Sequence, residues 1–428
     1  MNRDLLTTVI LEQQAIVSQV KLVPREFRFE EGMNYVLVGL RRAGKSFLLY
    51  QRIQELLASG VTLEQIIYVN FEDERLVDFS LADFDSLVVV ANQLSPKKHY
   101  YFFDEIQNIA GWERFARRMA DQKEFVYLTG SNSKMLGQEI ALRLGGRYLT
   151  RYVPPFRFGE FLTAKQLPHD RRARLVAQSR GQINAALDEY LRFGGLPEAI
   201  RLVEKRNYLN DLYQNIYLAD IIVRNHVQNP AGLRLMIRKL AETVMHEISY
   251  NRLYTTVKAT GLAIGKNVVA DYTAFAQTAY LLFVTRNYFS KFAARESTPR
   301  YYFSDNGLLS IFLTNKEAAL LENLVAIQLF NQFQNQVYYL KSSKTGIDID
   351  FYLPEKKMAI QVAWTIAGEA RQREVGNLVK LKQSMTEVER LVIVTKDDPA
   401  TVVEKDGVQV EVVPLVDFLL DQHHFFEN

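Results

Sequence analysis

The sequence predicts an α/β protein whose first part is a parallel sheet covered by helices on both faces. Two observations carry that expectation. Short apolar runs (MNYVLV, QIIYVN, YYFFDE, FVYLTGSN) recur with helical-period segments between them. Runs that are apolar on both faces are the strands of a parallel sheet buried under crossover helices.

The elements follow in order. Leu5, Leu6, Val9, Ile10, Ile16, Val17 and Val20 fall at mostly helical spacing, which predicts an amphipathic helix over 5–20. Residues 34–38 predict a short strand, and 45–58 a helix stopped at Ser59-Gly60. QIIYVNFED predicts a buried strand with acids at its end, and YYFFDE and FVYLTGSN predict two more. YLTRYVPPF predicts another strand, stopped by Pro154-Pro155. From about Phe158 to Asp220 the pattern is helical, broken at GGLPEA. Residues 233–290 predict helices and then short extended segments. Past Asn306 the chain returns to mixed α/β: a helix over about 316–333, then VYYLK, DIDFYL, MAIQVAW and RLVIVTK.

Composition narrows the function classes. The chain has 428 residues, more than one typical core. It is 48% hydrophobic and 24% charged, as globular proteins are. No cysteine is present, which excludes disulfides, thiolate catalysis and cysteine-ligated metals. No apolar run approaches the roughly 18–20 residues that span a bilayer, and the N-terminal stretch lacks the pattern of a signal peptide. A cytoplasmic protein without a membrane partner is expected. Net charge is +3, but residues 201–300 hold 14 Lys and Arg against 7 Asp and Glu. That basic segment suits either phosphate-backbone contact or a solvated face.

The chemistry concentrates at Gly39-Leu40-Arg41-Arg42-Ala43-Gly44-Lys45-Ser46, followed by Phe47. It fits G-x-x-x-x-G-K-[ST], with a strand before and a helix after. Glycines let the backbone curl around phosphate oxygens, and the next helix points its positive end at the same anion. Lys45 supplies a mobile positive charge to the β and γ phosphates, and the Ser46 hydroxyl a Mg²⁺ ligand. Arg41 and Arg42 occupy variable positions. They are either solvated loop cations or a contact to a lid or neighbouring subunit that reports the bound state.

The partner strand is YYFFDE. Asp104 is expected at the metal, and Glu105 as the base that polarises the attacking water. A third strand ends in Thr129, Ser131 and Asn132. Asn132, or failing it Ser131, either orients that water or caps the following helix.

GLRRAGKS, FFDEIQNIAGWERF, LTGSNSKML, GGRYLTRYVPPFRFGEF and YLRFGGLPEAI, in this order, resemble the AAA-type ATPases of bacteria and archaea that carry a C-terminal domain of unknown function. The likeness is strongest over 36–200. It implies ATP as the nucleotide. It implies that Arg147 reaches a neighbouring subunit's nucleotide, with Arg143 and Arg151 as alternatives, and hence a homo-oligomer. It also implies that GGLPEA lies in a helical lid with Pro197 against the adenine. The expected division is a P-loop ATPase core over 1–160, a helical lid over 161–230, a winged helix over 231–305 and a restriction-endonuclease-like domain over 306–428. The winged helix would offer Lys258, Lys266, Asn267 and Tyr272 to DNA. In the last domain Glu322, Asp350 and Gln361 match a nuclease metal site, but Ala363 stands where its lysine belongs, so a degenerate domain is expected.

The function expected is Mg²⁺-dependent ATP hydrolysis coupled to conformational change, on or near nucleic acid. The alternative is a nucleotide-controlled switch or scaffold for a protein partner. An ATP-linked nuclease comes last.

Overall fold

The computed structural model describes residues 1–131, 142–262, 264–314, 316–421 and 425–426. The chain forms two compact units, one of Met1–Pro155 with Thr278–Tyr280, the other of Phe156–Gln277 with Leu281–Asn428. The expected lid and C-terminal part, and the expected winged helix except for residues 278–280, fall in the second.

The first unit is built on five parallel strands: β1 (Asn34–Val38), β2 (Ile66–Asn70), β3 (Tyr100–Asp104), β4 (Phe125–Gly130) and β5 (Tyr148–Tyr152). Their order is β2-β3-β4-β1-β5. The chain leaves β1, one strand in from the β5 edge, and returns at the opposite edge as β2, which creates a crevice at the carboxyl ends of the strands. Registers Asn70↔Asp104 and Val38↔Gly130 bring those ends level.

Side chains alternate across the sheet. One face sets Tyr35, Leu37, Tyr68, Phe102 and Tyr127 against Leu48, Leu49 and Ile53 of α2 (Lys45–Ala58). On the other, Phe103 meets Phe84 of α3 (Phe84–Leu94) and Phe115 of α4 (Trp112–Asp121), the last two rings stacking at 4.0 Å. The N-terminal helix (Arg3–Gln19) is capped by Asn2 and buries Leu6, Val9, Ile10 and Val17. Its Gln14 donates to the Ile66 and Leu63 carbonyls, tying the helix to the start of β2.

The second unit opens with helices, among them α5 (Ala177–Phe193), α6 (Pro230–Glu242), α7 (Tyr250–Lys258) and α8 (Lys266–Thr278). Its sheet has eight strands: β6 (Leu282–Asn287), β7 (Arg300–Phe303), β8 (Tyr338–Ser342), β9 (Ile347–Leu353), β10 (Met358–Ala363), β11 (Arg390–Thr395), β12 (Thr401–Lys405) and β13 (Val408–Pro414). The order is β12-β13-β11-β10-β9-β8-β6-β7. The β6–β7 hairpin expected as a wing therefore joins one continuous mixed sheet, because β6 pairs in parallel with β8. Helices α9 (Glu317–Phe333) and α10 (Glu369–Ser384) pack on it.

Tyr272 corrects an expectation. It is buried, and its hydroxyl accepts from the Asn229 N–H, so it belongs to the helical core and not to a solvent face. The residue lies on the inner side of α8, with Val269, Thr273 and Ala276. Lys258, Lys266 and Asn267 are exposed. Among the described residues no helix is long and apolar enough to cross a membrane.

Candidate nucleotide site

The loop between β1 and α2 lies at the carboxyl end of β1, between β4 and β5. Two glycines shape it. Gly39 has φ 153°, and a Cβ there would sit 2.3 Å from the Val153 carbonyl oxygen, so no larger residue fits the close approach to the chain leaving β5. Gly44 caps α2 in the left-handed region, φ 96°. Arg42 shares that region at φ 62°, without glycine's freedom. Leu40 and Ala43 point into the core, while Arg42 and Phe47 are exposed.

Lys45 is buried, and its Nζ donates to the Gly39 and Leu40 carbonyls at 3.2 and 3.1 Å, which holds the ammonium over the loop. The first N–H groups of α2 have no partner within the helix, as at every helix start. With the macrodipole they make this turn a site for an anion.

Asp104 ends β3 directly beside the loop. It is 2% exposed. Its carboxylate accepts from the hydroxyls of Tyr68, at 2.8 Å, and Thr129, and the nearby Ser46 hydroxyl also favours its charged form. Burial raises its carboxyl above the usual range and the Glu105 charge adds to that, while the three hydroxyls oppose both. A hard divalent cation prefers oxygen donors such as the Ser46 hydroxyl and the Asp104 carboxylate. Their nearness beside the loop fits Mg²⁺.

Glu105 takes a left-handed backbone, φ 51°. Its N–H donates to Thr129 Oγ1 at 3.0 Å, and its carboxylate accepts from Gln107. The fully buried Thr129 hydroxyl thus accepts from one acid's backbone and donates to the other acid's side chain. Ser131 is buried two residues on, and its hydroxyl has no partner among the described residues. Asn132 lies outside the described residues.

Sequence reasoning passed over three contributors and saw only part of the role of a fourth. Thr129 was legible only as a polar strand end, because its role depends on the register of β3 and β4. Tyr68 sits inside an apolar run, where an aromatic reads as core. Glu72, past the end of β2, stands in the field of Glu105, Asp104, Arg41 and Lys45; partial desolvation and then Glu105 raise its carboxyl, and Arg41 opposes them. Arg25 donates to the Ala43 carbonyl at 3.1 Å and the Pro154 carbonyl at 2.9 Å, bracing the loop against the end of β5. Nothing in VPREF signals that contact.

Arg147 precedes β5, whose first residue pairs with Asn34 at the start of β1. It therefore stands at the sheet edge opposite its own phosphate loop, paired with Asp121 at 2.5 Å. Arg143 pairs with Glu113, and Arg151 with Glu30 at 3.5 Å.

Pro197 belongs to the second unit, where it begins a short 3-10 helix. The glycines before it are set by close packing. Gly194 has φ 73°, and a Cβ there would strike the Asp305 carboxylate at 2.1 Å. Asp305 accepts from the N–H groups of Gly195, Gly307 and Leu308, yet full burial outweighs these donors and lifts its carboxyl to about 6.

The residues matched to a nuclease site do gather in this unit. Glu322 on α9 accepts from the Tyr302 hydroxyl at 2.8 Å. Asp350 on β9 accepts from the Val362 N–H at 2.9 Å, and its own N–H reaches Gln361 Oε1 at 3.4 Å. Ala363 is buried at the end of β10, and Lys344 is exposed on the β8–β9 turn. Lys341 pairs with Glu247 at 2.6 Å and Asp348 at 3.5 Å.

Comparison with known proteins adds the following. An uncharacterized protein of Methanocaldococcus jannaschii is 29% identical over 422 residues, covering 95% of this chain and 93% of that one. An uncharacterized protein of Haemophilus influenzae is 29% identical over 418 residues, covering 95% and 99%. Among solved structures, the Walker-type ATPase of Pyrococcus abyssi is similar at 14% identity and TM-score 0.41, covering 73% of this chain and 95% of that one. The Aeropyrum pernix Orc1 protein in complex with DNA is similar at 16% identity and TM-score 0.29, covering 76% and 94%. At those scores neither bears on function. A family model described as a domain of unknown function matches residues 184–319. A second, described as an AAA domain, matches residues 32–162, the segment that holds every group of the phosphate site except Arg25.

Proposed function

We propose that the chain binds Mg-ATP in the first unit and hydrolyses it. The observation that carries this reading is the closed set Ser46, Asp104, Thr129 and Glu105 beside the Gly39–Ser46 loop. A passive anion site needs the loop alone. Here two acids, oriented by one threonine, face the place where the γ-phosphate would lie. Ser46 and Asp104 would hold Mg²⁺, which supplies charge neutralisation at the phosphate oxygens. Glu105 takes a proton from water, and its left-handed backbone, pinned by Thr129, aims its carboxylate. Lys45 balances charge developing on the phosphoryl group. Arg147 acts on a neighbouring copy, since it stands at the far edge from its own loop.

Glu105→Gln tests the reading. It should keep ATP affinity and lose roughly 10²–10⁴-fold in turnover; unchanged turnover would reject Glu105 as the base. Arg147→Ala should lose turnover only in preparations whose measured particle mass exceeds one chain. Equal loss in a monomer would reject action between copies.

We further propose that the protein works on or near DNA. The basic segment supports this, as do three helices leading into an antiparallel hairpin in the manner of a winged helix. A nucleotide-controlled switch remains the second reading, favoured by the contact of Gln107 with the Glu105 carboxylate. A base held away from water suits slow, regulated turnover.

A further inference from the structure

The second unit buries a carboxylate cluster together with its own cation. Glu322 and Asp350 are buried, and Asp348 adjoins them. Into this group β7 sends Arg300, itself 2% exposed. Its Nη2 lies 2.6 Å from Asp348 and its Nη1 3.4 Å from Asp350, and the guanidinium stacks over the Tyr339 ring at 4.5 Å. Its Nε has no partner among the described residues. Glu322 is tied in through the Tyr302 hydroxyl, two residues along the same strand.

The nuclease resemblance would put a divalent ion among these carboxylates. The donor set does not fit one. A divalent ion takes carboxylate oxygens at about 2.0–2.6 Å, and here the guanidinium already sits against one oxygen of Asp348 and one of Asp350, placing a fixed positive charge between the two acids. Arginine does not deprotonate, and its planar fork suits two carboxylates at once. The lysine that would serve chemistry is replaced by Ala363, and Lys341 is engaged with Glu247 and Asp348. Among the described residues no group of three or more His, Asp or Glu side chains is arranged to hold a metal ion.

We propose that Arg300 stands in for the divalent cation: the cluster is an internal charge clamp that fixes the β6–β7 hairpin to β8 and β9, and it binds no metal and cleaves no nucleic acid. The hairpin is thereby held by charge as well as by strand pairing. It cannot swing as a free wing while Arg300 remains seated.

Two measurements on the full chain test this. Nucleotide-free protein is titrated with Mn²⁺ and followed by electron paramagnetic resonance, comparing wild type with Asp350→Asn. Identical isotherms are expected. Mn²⁺ bound by wild type and lost in Asp350→Asn would overturn the proposal. Thermal melts then compare Arg300→Met with Arg300→Met/Asp350→Asn. The single variant leaves buried carboxylates uncompensated and should melt roughly 5–10 °C lower. The double variant should recover part of that drop, or fold where the single does not. A single variant that melts like wild type, or a double that does no better than the single, rejects the clamp.

Discussion

Thr129 shows how much one hydroxyl can organise. Its oxygen accepts from the Glu105 N–H and donates to Asp104, so removing it disturbs the metal-side acid and the base together. Thr129→Val keeps the β-branched shape and deletes only the hydroxyl. The buried Asp104 would lose the Thr129 donor and keep that of Tyr68, at a cost of about 1–3 kcal/mol. We expect ATP affinity to fall modestly and kcat to fall about 10–100-fold, because the Glu105 turn loses its anchor while the loop stays intact. Steady-state turnover together with a nucleotide-binding titration separates the two. A variant with full kcat would show that the hydroxyl only packs. Ser131, just past the end of that strand, offers a contrast: its hydroxyl is buried and has no partner among the described residues.

At the scale of elements, much of the architecture was legible. Buried strands 34–38, 66–70 and 100–104 appear as apolar runs, and the loop declares itself because its glycines, lysine and serine are each required by chemistry. What stayed hidden depends on contacts distant in sequence. GGLPEA read as a break within a helical lid, with Pro197 against the adenine. Gly194 is needed because Asp305, over a hundred residues on, packs against it, and Gly195 because the Phe156 carbonyl does. The hairpin read as a wing, and its merger with β8 rests on a two-residue pairing that leaves no periodicity. Tyr272 read as exposed, since an error of one or two residues in helical phase, about 100° each, moves a side chain from solvent to core.

The Asp305 junction gives a pH prediction. Its folded pKa of about 6 lies above the unfolded value of about 4. The native state therefore keeps a proton that the unfolded chain releases. Its contribution to stability is full below pH 4 and is lost as pH rises to 6, by about 3 kcal/mol in all. Glu322 and Asp350 are also raised by burial and add slope of the same sign, so the comparison must be with Asp305→Asn. Chemical denaturation at pH 4, 5, 6 and 7 should show the variant losing less stability with rising pH than wild type. Parallel profiles would mean that Asp305 is ionised throughout.

For the whole molecule, charge distribution decides more than net charge. A chain at +3 is nearly neutral, yet residues 201–300 carry an excess of seven positive charges and the rest is net negative. If that segment meets a phosphate backbone, binding must release counterions, and the logarithm of affinity must fall linearly with the logarithm of salt. Each Lys or Arg that touches a phosphate adds about 0.9 to the slope for duplex DNA. Lys258 and Lys266 are exposed on α7 and α8, so they are the cations to change. Lys258→Gln/Lys266→Gln should weaken duplex binding at low salt and flatten the slope by about 1–2, without sequence preference. The substitutions lie outside the phosphate site, so ATP hydrolysis without DNA should be unchanged. Fluorescence anisotropy on an unrelated duplex between 50 and 200 mM salt measures both quantities. Binding that is absent at low salt, or insensitive to salt, would assign the basic segment to solvent and leave the second unit as a module for proteins.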